Sequence, residues 1–318
     1  MDSHINVLVY NHIPAYLDRY EKLLRDARPD VNFMICHDKR EIASHINRTD
    51  VILSGHTFPV ELLSRASNLK WIQSISAGVE NYVLSGAVPS HATLTKVTGV
   101  HGPIIADYVL GYMLAITLKI RAGLDNQKIR EWPYYEPGTV RGKTAGVMGL
   151  GSVGSVIAFR LHQAGLKVIG FDEQTKHLPF LREVFLPGDL MHFLSLPDFV
   201  VMALPLSPRT KAIIGGEELK AMKTGAYLFN ISRGPLIHEE ALVHALRTGD
   251  IAGAVLDVFE KEPLPKDHEL WNMENVYITP HISGPSLPED VVKIFLENLK
   301  RFEMKKRLKG VVDFKKGY

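Results

Sequence analysis

Gly149-Leu150-Gly151-Ser152-Val153-Gly154 follows an apolar run, Thr144 to Met148, and opens a stretch of helical spacing that ends at Gly165. Glycines at the first, third and sixth positions of a strand-to-helix turn suit a dinucleotide. Gly149 allows the tight turn, Gly151 admits the pyrophosphate to the backbone, and Gly154 lets helix and strand pack closely. The first N–H groups of that helix then face the phosphates. Asp172 closes the next apolar run, about 20 residues on, where a carboxylate accepts the ribose hydroxyls of NAD and repels the 2′-phosphate of NADP. NAD is the expected cofactor, with NADP second because Lys176 and His177 stand nearby.

Farther along, Asn230-Ile231-Ser232-Arg233-Gly234 ends a buried-strand pattern on an arginine. A cation there needs an anion, and ligands of open α/β sheets bind at the carboxyl ends of strands, so Arg233 is expected to hold a substrate anion. Asp257-Val258-Phe259-Glu260-Lys261-Glu262-Pro263 ends the following strand pattern and Thr279-Pro280-His281 the one after. Proton transfer coupled to hydride transfer needs a group that titrates near neutrality, which among side chains is first of all histidine. A carboxylate on the imidazole's other nitrogen fixes its tautomer and favours the imidazolium. Glu262 and His281 are expected to form that pair. No metal is called for.

These residues need strands to carry them. Apolar, β-branched runs occur at Ile5 to Tyr10, Val31 to Cys36, Asp50 to Leu53 and Trp71 to Ile75, with helical spacing between them (Tyr16, Tyr20, Leu23, Leu24). That alternation predicts βαβ units around a parallel sheet. A second series follows a long helix: Thr144 to Met148, Lys167 to Phe171, Asp198 to Ala203, Ala226 to Ile231, Gly253 to Val258 and Val276 to Thr279. Its near-continuous apolar character predicts strands buried on both faces. Gly165 and Gly249 stand where helix ends need positive φ. Ser286-Leu287-Pro288-Glu289 has capping-box spacing and precedes an apolar stripe, Val292, Phe295, Leu296, Leu299 and Phe302, that some other element must cover.

The length of 318 residues predicts about two domains. A composition 46% hydrophobic and 23% charged excludes disordered, collagenous and disulfide-scaffold chains. A formal charge of +2 does not point to nucleic acid or membrane. Cys36 is the single cysteine, which fits a reducing compartment. The N-terminal run reads as a strand rather than a signal peptide, and Tyr108 to Ile120 is too short to span a bilayer, so a cytoplasmic protein is expected. Between Lys300 and Lys316, eight Lys or Arg face only Glu303 and Asp313. Without interleaved aromatics this reads as a solvated basic face, and no nucleic-acid partner is expected.

The sequence from Gly142-Lys143-Thr144 through Gly154 to Asp172 resembles the D-isomer-specific 2-hydroxyacid dehydrogenases. So do Leu204-Pro205-Leu206-Ser207-Pro208-Arg209-Thr210, the run 230–234, Asp257-Val258-Phe259 with Glu262-Pro263, Leu270-Trp271 and Thr279-Pro280-His281. Upstream, Ser76-Ala77-Gly78-Val79-Glu80 resembles that family's carboxylate-binding loop. The resemblance implies two doubly wound α/β domains: a Rossmann NAD-binding domain, 99–285, inserted into a flavodoxin-like substrate domain, 1–98 with 286–318. It implies that Arg233 holds the carboxylate and carbonyl of a small 2-oxo acid, that His281 is the acid/base and that Glu262 orients it. Backbone N–H groups of Ala77, Gly78 and Val79 would bind the carboxylate. Ser152, Val153, Leu204, Pro205, Thr210, Ile231, Ser232 and His281 would join the three fingerprint glycines and Asp172 around the cofactor, with Asp257 at its nicotinamide end. Tyr10, His56 and His101 would line the cleft. A homodimer formed through the NAD domain is expected. An NAD-sensing co-repressor shares most of these motifs and is the alternative; formate dehydrogenases have an amide where Glu262 stands. Ala106-Asp107 and Glu80 replace the family's usual Ala-Glu and Asp, and Pro285 follows His281 closely.

Overall fold

The computed structural model describes residues 5–314. Two compact units make it up, one running to Val100 and resuming at Ser286, the other spanning His101–Pro285. Lys315 and Lys316 of the basic stretch lie outside the described residues.

The first unit contains β1 (Asn6–Tyr10), α1 (Pro14–Ala27), β2 (Asn32–Cys36), α2 (Lys39–His45), β3 (Val51–Ser54), β4 (Trp71–Ser74), α3 (Glu80–Ser85) and β5 (Thr93–Lys96). Its sheet is parallel in the order β2-β1-β3-β4-β5, the flavodoxin-like arrangement. Every residue of β3 and β4 is buried, which is why both read as largely apolar runs. α1 starts on Pro14, whose missing N–H costs a first helical turn nothing, and buries Leu17, Tyr20 and Leu24 along one stripe.

The second unit contains α4 (His101–Thr117), α5 (Ile120–Ile129), β6 (Thr144–Met148), α6 (Gly154–Gln163), β7 (Lys167–Phe171), β8 (Val184–Phe185), α7 (Leu190–Leu194) and β9 (Phe199–Met202). It continues with α8 (Gly216–Ala221), β10 (Tyr227–Asn230), α9 (Glu239–Thr248), β11 (Gly253–Leu256) and β12 (Val276–Ile278). The sheet is again wholly parallel, ordered β12-β11-β10-β9-β6-β7-β8. The order reverses between β6 and β9, and that switch point opens a crevice at the carboxyl ends of the strands. The apolar run through Ile120 is not one helix: the chain breaks at Lys119, φ 55°, and α5 leaves at 58° to α4. Among the described residues no single helix is long and apolar enough to cross a membrane.

The chain then returns to the first unit as α10 (Pro288–Glu303). The capping box read at Ser286 does not form. Pro288 takes the first helical position and Leu287 the cap, so Ser286 stands one residue too early for its hydroxyl to serve. The apolar stripe packs on the first unit: Phe295 stacks on Trp71 at 5.2 Å between ring centroids and Val291, Val292 and Leu299 are buried beside it. Burying each such side chain contributes roughly 1.5–3 kcal/mol. Asn298, almost fully buried in the same face, donates to Gln73 Oε1 at 3.0 Å and accepts the Lys309 N–H at 2.9 Å.

Candidate functional site

The turn after β6 is set by sterics. Gly149 has φ 89°, a conformation L side chains rarely adopt, and a Cβ on Gly154 would lie 1.8 Å from the Gly149 carbonyl oxygen. Nothing lies within 4 Å of where a Cβ on Gly151 would point, so the face a phosphate would approach is open. Among the described residues the Ser152 and Val153 N–H groups donate to no protein acceptor. An open backbone face with unspent N–H groups at the start of a ten-residue helix fits a pyrophosphate.

Asp172 follows β7 directly and accepts the Leu150 N–H at 2.7 Å and Lys176 Nζ at 3.0 Å, both through Oδ2. Among the described residues its other oxygen takes only the Gln174 N–H, at 3.3 Å. Partial burial opposes the charge, but the Leu150 N–H, Lys176 and the Gln174 N–H outweigh it, and the carboxyl titrates below its ordinary range. Lys176 also donates to the Leu150 carbonyl at 2.8 Å, so the cation that would suit a 2′-phosphate is tied to the carboxylate and the glycine turn.

After β9, Leu204 is buried and Pro205 exposed; the Thr210 hydroxyl donates to the Pro205 carbonyl at 2.7 Å and accepts the Ser207 N–H at 2.8 Å, closing the loop on itself. The Ser232 hydroxyl donates to the Leu204 carbonyl, which joins that loop to the end of β10. There Ile231 is buried and Asn230, also buried, shapes the turn: its side chain accepts the Ser232 N–H at 3.2 Å and donates to the Arg233 carbonyl at 2.9 Å. Arg233 emerges half-buried, with Nη1 2.6 Å from the Ser232 carbonyl. Asn230 thus locks the turn through contacts that the motif alone does not reveal.

His281 and Glu262 meet. His281 Nδ1 lies 2.8 Å from Glu262 Oε2, and Oε1 accepts the Phe259 N–H at 3.1 Å. Partial burial pushes the Glu262 carboxyl up, but the bonds from His281 and Phe259 and the charges of His281 and Arg233 more than offset it, leaving the carboxyl below its ordinary range. The side chains are 46% and 38% exposed, so the pair remains reachable. His281 has φ 55°, a left-handed backbone rare outside glycine.

Asp257, expected at the nicotinamide end of the cofactor, is fully buried, and its carboxylate accepts from the Thr279 hydroxyl and the Ile282 and Ser283 N–H groups. The contact of Thr279 with Tyr108 carried no sequence signal, because it joins positions 171 residues apart. In the first unit, Ala77 and Gly78 lead out of β4 and Val79 caps α3. Among the described residues the N–H groups of these three have no protein acceptor. His12 and His56 stand edge to face at 5.9 Å, and Asn81 donates to the His56 carbonyl at 2.7 Å. Arg233, Glu262, His281 and the glycine turn belong to one unit, and the 77–79 loop to the other.

Comparison with known proteins follows the same lines. The model of the D-isomer specific 2-hydroxyacid dehydrogenase NAD binding domain matches residues 110–283. A glyoxylate reductase of Thermofilum pendens is 34% identical over 261 residues, covering 78% of this chain and 76% of its own length. Among solved structures, a D-isomer specific 2-hydroxyacid dehydrogenase family protein of Aeromonas salmonicida aligns with TM-score 0.92 and 33% identity, over 98% of this chain and all of its own. An NADPH-dependent glyoxylate/hydroxypyruvate reductase of Sinorhizobium meliloti, solved with NADP and sulfate, aligns at 0.89 and 28%, over 99% of this chain and all of its own.

Proposed function

Because the chain belongs to the D-isomer specific 2-hydroxyacid dehydrogenases, oxidoreductases that use a nicotinamide cofactor, we propose that it interconverts a small D-2-hydroxy acid and its 2-oxo acid. The observation that carries this reading is the His281–Glu262 pair at 2.8 Å, in the same unit as Arg233. When bound, the nicotinamide supplies or takes the hydride. In reduction, His281 Nε2 gives a proton to the carbonyl oxygen while Glu262 holds Nδ1–H and stabilises the imidazolium. Arg233 binds the substrate carboxylate and stabilises negative charge as it builds on that oxygen. In oxidation the neutral imidazole takes the hydroxyl proton. The N–H groups of Ala77, Gly78 and Val79 are proposed to receive the carboxylate, their small side chains allowing close approach.

NAD is the proposed partner. The Asp172 oxygen that carries only a long bond is free to accept a ribose hydroxyl, and its charge disfavours a 2′-phosphate. This differs from the NADP bound by the Sinorhizobium relative. A homodimer through the nucleotide-binding unit is proposed because Leu114, Leu118, Ile120, Leu124 and Ile129 are exposed, with Trp132 99% and Tyr134 90% exposed. Light scattering at working concentration checks it, and a monomer removes it. A cytoplasmic setting accords with a single buried thiol.

The deciding assay is a panel of 2-oxo acids, from glyoxylate through hydroxypyruvate to branched and aromatic ones, with NADH and with NADPH. Turnover that His281→Ala abolishes supports the reading. Cofactor binding with no turnover on any acid, unaltered by His281→Ala, replaces it with the co-repressor-like alternative.

A further inference from the structure

His281 keeps a left-handed backbone that is unfavourable for an L residue, so something must hold it. The residues around it show what does. The Asp257 main-chain carbonyl accepts the His281 N–H at 2.9 Å. Its carboxylate takes the next two amides, Ile282 N–H at Oδ1, 2.8 Å, and Ser283 N–H at Oδ2, 2.9 Å. The Thr279 hydroxyl donates to Oδ1 at 2.6 Å. A hydroxyl has one proton, and Thr279 spends it on the carboxylate. The 2.6 Å contact between Tyr108 and Thr279 therefore runs from the tyrosine O–H to Thr279 Oγ1. Burial pushes the Tyr108 hydroxyl well above its ordinary range, so it remains a donor at every working pH.

We infer that Tyr108 and Thr279 are positioning residues for the proton-transfer step: the one-way chain Tyr108 O–H to Thr279 O–H to Asp257 clamps the 281–283 turn and fixes the direction in which His281 presents its imidazole. Helix α4 thereby sets the geometry of His281 through the Asp257 carboxylate. Directed bonds of this kind strengthen one another inside a protein, and each donor removed leaves a buried acceptor short. The inference rests on the reading of His281 as the acid/base.

Tyr108→Phe tests it while retaining the ring that packs on Tyr112 at 4.8 Å. Thr279→Val removes the relay hydroxyl and Thr279→Ser restores it. In the full chain, Tyr108→Phe and Thr279→Val are expected to lower kcat about ten-fold or more, leaving KM for the 2-oxo acid within about two-fold, because misplacing a reacting group costs rate rather than binding. Thr279→Ser is expected to recover kcat to within about three-fold. Amide hydrogen exchange at Ile282 and Ser283 is expected to quicken about ten-fold in Tyr108→Phe and Thr279→Val, with α6 unaffected. Exchange at those two amides unchanged in both variants overturns the clamp. Faster exchange with kcat intact, or a rise in KM alone, overturns its positioning role. If the wild-type chain turns over no 2-oxo acid, the dehydrogenase reading fails, and the exchange measurement still decides whether the clamp exists.

Discussion

His281 Nδ1 lies 2.8 Å from Glu262 Oε2, and the same carboxylate takes the Phe259 N–H through Oε1. The second bond fixes Glu262 so that it can aim the imidazole. Glu262→Gln loses the charge and, with one acceptor oxygen in place of two, keeps only one of these two bonds. Expected is a fall in kcat of about 10²-fold, with the alkaline limb of the reduction profile moving to lower pH, because the imidazolium loses its anionic partner. A pH–rate profile superimposable on wild type removes Glu262 from the mechanism.

The lowered titration of Glu262 carries a stability consequence whose sign is fixed. A carboxyl depressed in the folded state stabilises it above the ordinary glutamate range and loses that contribution as pH falls through the depressed value. Urea midpoints of wild type and Glu262→Gln should therefore differ most near neutrality and converge in acid. A gap that widens on acidification contradicts the assigned shift.

Arg233 is the residue for which charge alone does not suffice. Its guanidinium leaves β10 on a turn locked by Asn230, with Nη1 already on the Ser232 carbonyl. Arg233→Ala should lower kcat and raise KM together, reducing kcat/KM by about 10³-fold, since carboxylate binding and oxyanion stabilisation are both lost. Arg233→Lys keeps the charge without the planar fork and should recover only part of this. Steady-state kinetics of both variants on one 2-oxo acid check it, and a change in KM alone would show that Arg233 binds without assisting the chemistry.

What could be read from the chain in advance follows from what each element buries. β9, β10 and β11 lie inside a sheet covered on both faces, so their apolar runs announce themselves. β5 alternates Thr-Leu-Thr-Lys over four residues and β8 has two, too little periodicity to register. The fingerprint glycines, Asp172, Arg233, Glu262 and His281 were legible because a short local pattern dictates each. The partners that hold them were not: Lys176 turns from a candidate phosphate ligand into the companion of Asp172, and Tyr108 reaches Thr279 only through the fold. The Ser286 capping box failed for a local reason, a proline claiming the first helical position.

Asp172 makes the cofactor preference testable in one substitution. Asp172→Ser removes the charge that disfavours a 2′-phosphate and frees Lys176 from its 3.0 Å bond. NADH KM should rise about ten-fold and the NADPH/NADH ratio of kcat/KM by about ten-fold or more. Initial rates with both cofactors decide. A variant that loses NADH without gaining NADPH would mean that Asp172 supports the turn at Leu150 rather than selecting the ribose.

Gly154 and Gly151 separate folding from binding. A Cβ on Gly154 would enter the Gly149 carbonyl, whereas one on Gly151 meets nothing within 4 Å. Gly154→Ala should force α6 away from β6, destabilising the unit by about 1–3 kcal/mol and abolishing cofactor binding with it. Gly151→Ala should leave the urea midpoint where it is, since its backbone is not left-handed and the space is open, yet weaken NADH by about 10-fold or more through contact with the pyrophosphate. Unfolding curves and NADH titrations on the two variants measure both terms. Equal NADH affinity in Gly151→Ala and wild type would mean that the pyrophosphate does not lie over this turn.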